Sequence, residues 1–163
     1  MKFISETIIE QVITNLAETP DGYDQAIEDF QKSQPVIMAY LFSESFRMLS
    51  QEEREFMLYL AIVVWKSVNE ATEELPGVKA AALEVAEDRN WEAFQNASGR
   101  TFRDKLDVFF DNYLQEDLLA FVEDSLEEDD EHPLSKPGRE VIFVSLKSII
   151  DSLLEGRTED FRS

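Results

Sequence analysis

Apolar residues recur three and four apart along most of this chain. Ile8, Ile9, Val12, Ile13 and Leu16 fall on one face of a helix that the spacing predicts from about Ser5 to Glu18. Thr19-Pro20-Asp21-Gly22 breaks it. A short helix follows, with Tyr23, Ala26, Ile27 and Phe30 on one face. Ser33-Gln34-Pro35 marks a restart, because a proline in the first helical turn lacks only an N–H that would find no partner there. The helix it opens carries Val36, Ile37, Tyr40 and Leu41 and is expected to end near Met48.

Ser50-Gln51-Glu52-Glu53 is a capping box: the serine side chain accepts from the third N–H, and the glutamate reaches back. Phe56 to Trp65 is then apolar all round, which predicts a buried central helix near residues 51–71. The β-branched run Ile62-Val63-Val64 would suit a strand, but the cap and the length favour a helix. Pro76-Gly77 punctuates the chain. Val78 to Asp88 predicts a short alanine-rich helix, with Asn90 capping a further turn or two that hold Trp91 and Phe94.

Thr101-Phe102-Arg103-Asp104 is a second capping signal and opens one long segment through about Leu126. Its apolar face comprises Leu106, Phe109, Phe110, Tyr113, Leu114, Leu118, Phe121 and Val122. An acidic loop from Glu127 to Gly138 precedes a last helix running from Val141 to Leu154, with Gly156 as a left-handed stop and a frayed tail over about 157–163. No stretch alternates with period two, and no solenoid repeat is present. The pattern predicts an all-α protein: a single compact irregular multi-helix bundle of about six to eight helices, forming one domain over residues 1–163.

Composition supports a folded core and adds a strong charge. Of 163 residues, 44% are hydrophobic, among them 12 Phe, 4 Tyr and 2 Trp, enough large side chains to fill a core. Against 15 Lys and Arg stand 35 Asp and Glu, a formal net charge of -20. A surface of that sign argues against nucleic acid and against an anionic membrane. It favours a basic partner, a cation, or solubility alone. There is no Cys, so disulfides, thiol catalysis and cysteine zinc sites are absent. The first residues lack an apolar leader before Glu6, and no apolar run approaches the roughly 20 residues of a spanning helix. A cytoplasmic location is the expectation.

Few residues point to catalysis. The one histidine, His132, lies in the acidic loop beside Glu131 and Pro133, so a di-iron or two-histidine metal site is ruled out. The glycines at 22, 77, 99, 138 and 156 form no phosphate-cradling loop. No cofactor is expected. Carboxylate pairs at helical spacing remain, because i, i+3 and i, i+4 stack oxygens on one face around a hard cation. Glu70, Glu73 and Glu74 precede Glu84, Glu87 and Asp88 across Pro76-Gly77. That arrangement resembles the two facing acidic helices of nucleotide pyrophosphohydrolases. The resemblance implies a Mg- or Mn-dependent nucleotide hydrolase with Glu73, Glu74, Glu84, Glu87 and Asp88 as ligands. A chain this acidic also produces such pairs on an ordinary solvated face. The stripe of Asp104, Asp107 and Asp111 has the same double reading.

The more specific signal is the run Glu123, Asp124, Glu127, Glu128, Asp129, Asp130 and Glu131. From Leu106 to Ser135 there are eleven acids and no base. Such density costs stability through like-charge repulsion. It suits an interaction protein, inhibitor-like or immunity-like, whose carboxylates neutralise a basic macromolecular partner; the bland alternative is a solubilising loop. The basic trio Arg100, Arg103 and Lys105 just upstream reads as an offset to the local acids. Trp91 and Phe94 are candidates for partial exposure, though core is the simpler reading.

Overall fold

Ser5 starts the first helix by accepting from the Ile8 N–H, and α1 runs Glu6–Glu18. The computed structural model describes residues 2–127 and 134–162, with side chains described through Glu155. After Asp21, which takes left-handed backbone angles (φ 55°), α2 spans Gly22–Ser33 and α3 spans Pro35–Leu41. A 3-10 turn at Glu44–Phe46 leads into α4 (Gln51–Glu70). Then come α5 (Ala80–Asn96), α6 (Phe102–Phe110), α7 (Glu116–Ser125) and α8 (Lys136–Arg162). Among the described residues there is no strand, and the chain is an all-α multi-helix bundle.

The capping signals at Ser50 and Thr101 are both present. Ser50 Oγ accepts from the Glu53 N–H at 3.1 Å while Glu53 returns a carboxylate oxygen to the Ser50 N–H at 2.9 Å. Thr101 Oγ1 accepts from the Asp104 N–H at 3.1 Å.

Two helices share the centre. Leu60 through Trp65 of α4 are buried without a gap, as an all-apolar run requires. Residues Ile142 through Leu153 of α8 are equally enclosed, including Ser145, Lys147, Ser148, Asp151 and Ser152. Two of the three serine hydroxyls enclosed there bond back along the helix: Ser148 donates to Val144 O at 2.7 Å and Ser152 to Ser148 O at 2.8 Å. One apolar cluster joins Ile4 at one end to Leu153 at the other and draws on every helix. Each fully buried Leu, Ile or Phe in it contributes about 1.5–3 kcal/mol.

Two buried glutamines close the seams between helices. Gln34 donates to Pro76 O and accepts from the Val78 N–H, at 3.0 and 2.9 Å. Gln115 accepts from the Ile4 N–H at 2.9 Å and donates to Lys2 O at 3.2 Å. Each satisfies backbone groups of a distant loop that have no helix or sheet partner of their own.

The structure corrects four boundaries. First, α5 is one continuous helix through Asn96, with Asn90 inside it instead of capping a new one; its amide is bound to Ser148 and Asp151 of α8. Trp91 is half-buried and Phe94 buried. Second, the predicted long segment after Thr101 is two helices. Asp111 is extended and Asn112 left-handed (φ 58°), a conformation that asparagine tolerates better than most residues. Third, α3 stops at Leu41 rather than near Met48. The chain turns there so that Phe46 packs edge-on to Tyr40, 5.0 Å between ring centres, leaving Phe42 and Met48 outside. Fourth, α8 continues through Gly156 to Arg162. A glycine within a helix costs only about 1 kcal/mol, so it weakens that helix without ending it.

Candidate functional site

On α7, burial of Leu118, Leu119 and Val122 turns Asp117, Ala120, Phe121 and Asp124 toward α1. On α1, burial of Val12 and Leu16 leaves Glu6, Ile9, Glu10 and Ile13 facing α7. The two stripes enclose an open groove of about 370 Å³, bounded additionally by Ser125. Its floor is apolar, from Ile9, Ile13, Ala120 and Phe121, and its rim is acidic, from Glu6, Glu10, Asp117 and Asp124. No basic residue lines it. Asp117 Oδ2 also accepts from the Glu6 N–H at 3.1 Å, so one rim carboxylate fastens α7 to the electropositive start of α1.

The acid run divides between this groove and an internal contact. Arg103, in the first turn of α6, faces Glu123 at 3.6 Å and Asp124 at 3.4 Å and also pairs with Glu127. The cation therefore does offset local acids, and Glu123, Asp124 and Glu127 are all partly neutralised within the chain. Glu123 is mostly buried, and that burial, helped by Asp124 and Asp107, pushes its carboxyl above the ordinary carboxylate value despite Arg103. Asp124 alone among the described members of the run lines the groove. Glu128, Asp129, Asp130, Glu131 and His132 lie outside the described residues.

The carboxylates of the metal reading fall in separate settings. Glu73 and Glu74 are exposed on the connection between α4 and α5, and Glu84 and Asp88 are exposed on α5. Glu87 turns inward and accepts from the Tyr40 hydroxyl. Burial first, and that carboxylate second, push the Tyr40 phenol far above its ordinary range. Among the described residues, no three acidic or histidine side chains stand close enough together to hold a metal ion.

Sequence reasoning missed a buried ionic cluster. Lys147 Nζ lies 2.7 Å from Asp151 Oδ2 and 3.4 Å from Asn90 Oδ1, and 4.5 Å from the centre of the Tyr113 ring. Asp151 accepts also from Asn90 Nδ2 at 3.0 Å and from the Tyr113 hydroxyl at 2.8 Å, with Arg89 3.6 Å away. Burial, and then the Asp151 charge, raise the Tyr113 phenol well above its usual value. The one signal in the sequence is a Lys and an Asp four apart inside an otherwise apolar helix. The cluster fastens α5, α8 and the corner between α6 and α7, and each charge in it has an internal partner.

No protein-family model matches this chain, and no curated protein or solved structure matches it either. No helix among the described residues is long and apolar enough to cross a membrane.

Proposed function

We propose that this chain is an interaction protein that captures a basic macromolecular partner, with the groove between α1 and α7 as its docking surface. The supporting observation is the pairing of an apolar floor with a rim of four carboxylates and no cation. Floor and rim together suit an amphipathic basic segment: apolar side chains fill the floor, and flanking Lys or Arg meet the rim. Charges of one sign across a surface raise the encounter rate with an opposite partner and reject acidic ones. An inhibitor-like or immunity-like protein needs that property. The expected contact thereby narrows from the whole acid run to Asp124 at its base, together with the acids of α1.

The test is a pull-down from lysate with the intact chain as bait, comparing wild type with Glu10→Lys combined with Asp124→Lys. Capture of high-pI proteins that disappears in the double variant supports the proposal. Equal capture by both baits contradicts it.

A further inference from the structure

Four cations of this acidic chain gather in one place. Arg100, Arg103, Lys136 and Arg139 line an open depression of about 540 Å³, with Phe102 and the carboxylates of Glu123 and Glu127. Four basic residues less two acids leave the lining with a formal excess of two positive charges, in a chain whose total is -20. Arg139 lies over the Phe102 ring, 5.1 Å from its centre. Arg100 and Lys136 make no ion pair with a described residue. Two helices also begin here: Thr101 caps α6, and Lys136 is the first residue of α8. The positive end of each helix dipole adds to the side-chain charge, although Thr101 and Ser135 already take the Asp104 and Gly138 N–H groups.

An internal anion already occupies part of this depression. Glu127, exposed just beyond the end of α7, pairs with Arg103. Pairing between two such exposed groups is weak, on the order of 0–1 kcal/mol, so it is exchangeable.

We propose that this depression is a binding site for a phosphate group, in which Arg100 and Lys136 hold the incoming oxygens and Arg103 exchanges Glu127 for them. A guanidinium presents paired N–H donors that match two phosphate oxygens, and an ammonium adds a compact charge. The depression and the α1–α7 groove share no lining residue, although Arg103 also faces the groove's Asp124 at 3.4 Å, and neither proposal rests on the other. The ligand class is a phosphate dianion, either free or as a small monoester.

The test is a titration of the isotopically labelled intact chain with inorganic phosphate, and in parallel with adenosine monophosphate. Ionic strength is held constant with sodium chloride, because a chain at -20 responds to any salt. Backbone amide shifts that saturate and cluster at 101–103 and at Lys136, Gly138 and Arg139 are expected. Arg100→Gln with Lys136→Gln should weaken saturation by about tenfold or more, which is about 1.4 kcal/mol. Glu127→Gln should tighten it, because it removes the competing carboxylate. All three side chains are exposed, so these variants keep the fold. Equal affinity for the two probes identifies the free ion as the ligand, and tighter binding of the nucleotide identifies a monoester. Shifts that merely track sodium chloride, or an affinity indifferent to both variants, would overturn the proposal.

Discussion

One carboxylate oxygen of Glu53 takes both the N–H and the hydroxyl of Ser135, at 3.0 and 2.9 Å. Its other oxygen closes the capping box on Ser50. Ser135 in turn accepts from the Gly138 N–H at 3.0 Å. A single glutamate thus secures the start of α4 and, through Ser135, the start of α8, the two helices that share the centre of the fold.

Gly138 follows from that junction. A Cβ at this position would meet Ser135 Oγ at 2.6 Å and would press still closer on Glu53 Oε2. Glycine is required there by proximity, since its backbone is ordinary helix. Gly138→Ala should therefore destabilise the protein by about 1–3 kcal/mol, although alanine is the better helix former. In a Glu53→Ala background, where only the Ser135 hydroxyl still has to turn aside, the same change should cost clearly less. Urea melts of the four proteins give the coupling directly, and simple additivity would contradict the geometry.

Glu53 and Glu123 should shape acid stability with opposite signs. Burial alone would raise the Glu53 carboxyl, but hydrogen bonds from Ser50 and Ser135 outweigh it and hold it below the ordinary 4.5. A depressed folded-state pKa adds stability above the unfolded value and loses it as pH falls through the folded one. Wild type should therefore exceed Glu53→Gln by about 1–3 kcal/mol at pH 7, with the gap closing below pH 4.5. Glu123, raised above 4.5 by burial, costs stability when ionised. Glu123→Gln should melt higher than wild type at pH 7, and that advantage should vanish as pH falls below 4.5. Thermal melts from pH 3 to pH 7 check both, and parallel curves for the two variants would refute the assignment.

Asp151 and Lys147 should respond unequally to removal. Asp151→Leu leaves a buried ammonium with no anion, facing Asn90 and the Tyr113 and Phe109 rings, so a loss of about 3–5 kcal/mol is expected. Lys147→Met leaves the carboxylate with Asn90, Tyr113 and nearby Arg89, and should cost less, about 2 kcal/mol. The double variant should recover part of the Asp151→Leu loss, because no lone charge remains buried. Equal losses for the two single variants would show that the charges are not coupled in this way.

Local signals carried the sequence reading where structure is decided locally. The capping box at Ser50 and the apolar run to Trp65 specify α4 almost to the residue, because cap chemistry and all-round burial are properties of neighbouring side chains. The breaks at Asp111 and Leu41 were illegible for the opposite reason. Apolar periodicity continues past both positions, and the turns accompany contacts that spacing does not encode, Gln115 with the N-terminal segment and Phe46 folded back on Tyr40. The groove was half legible. Asp124 belongs to the acid run that stands out in the sequence, whereas Glu6 and Glu10 are more than a hundred positions away and join it only when α1 packs on α7.

Docking in the groove is tested by a nuclear-magnetic-resonance titration with a basic amphipathic helical peptide. Saturable amide shifts concentrated at Ile9, Ile13, Ala120 and Phe121 are expected. The affinity should fall as salt rises and should be lost with Glu10→Lys and Asp124→Lys. Shifts scattered evenly over the acidic surface, unchanged by those two substitutions, would show diffuse attraction without a docking site and would contradict it.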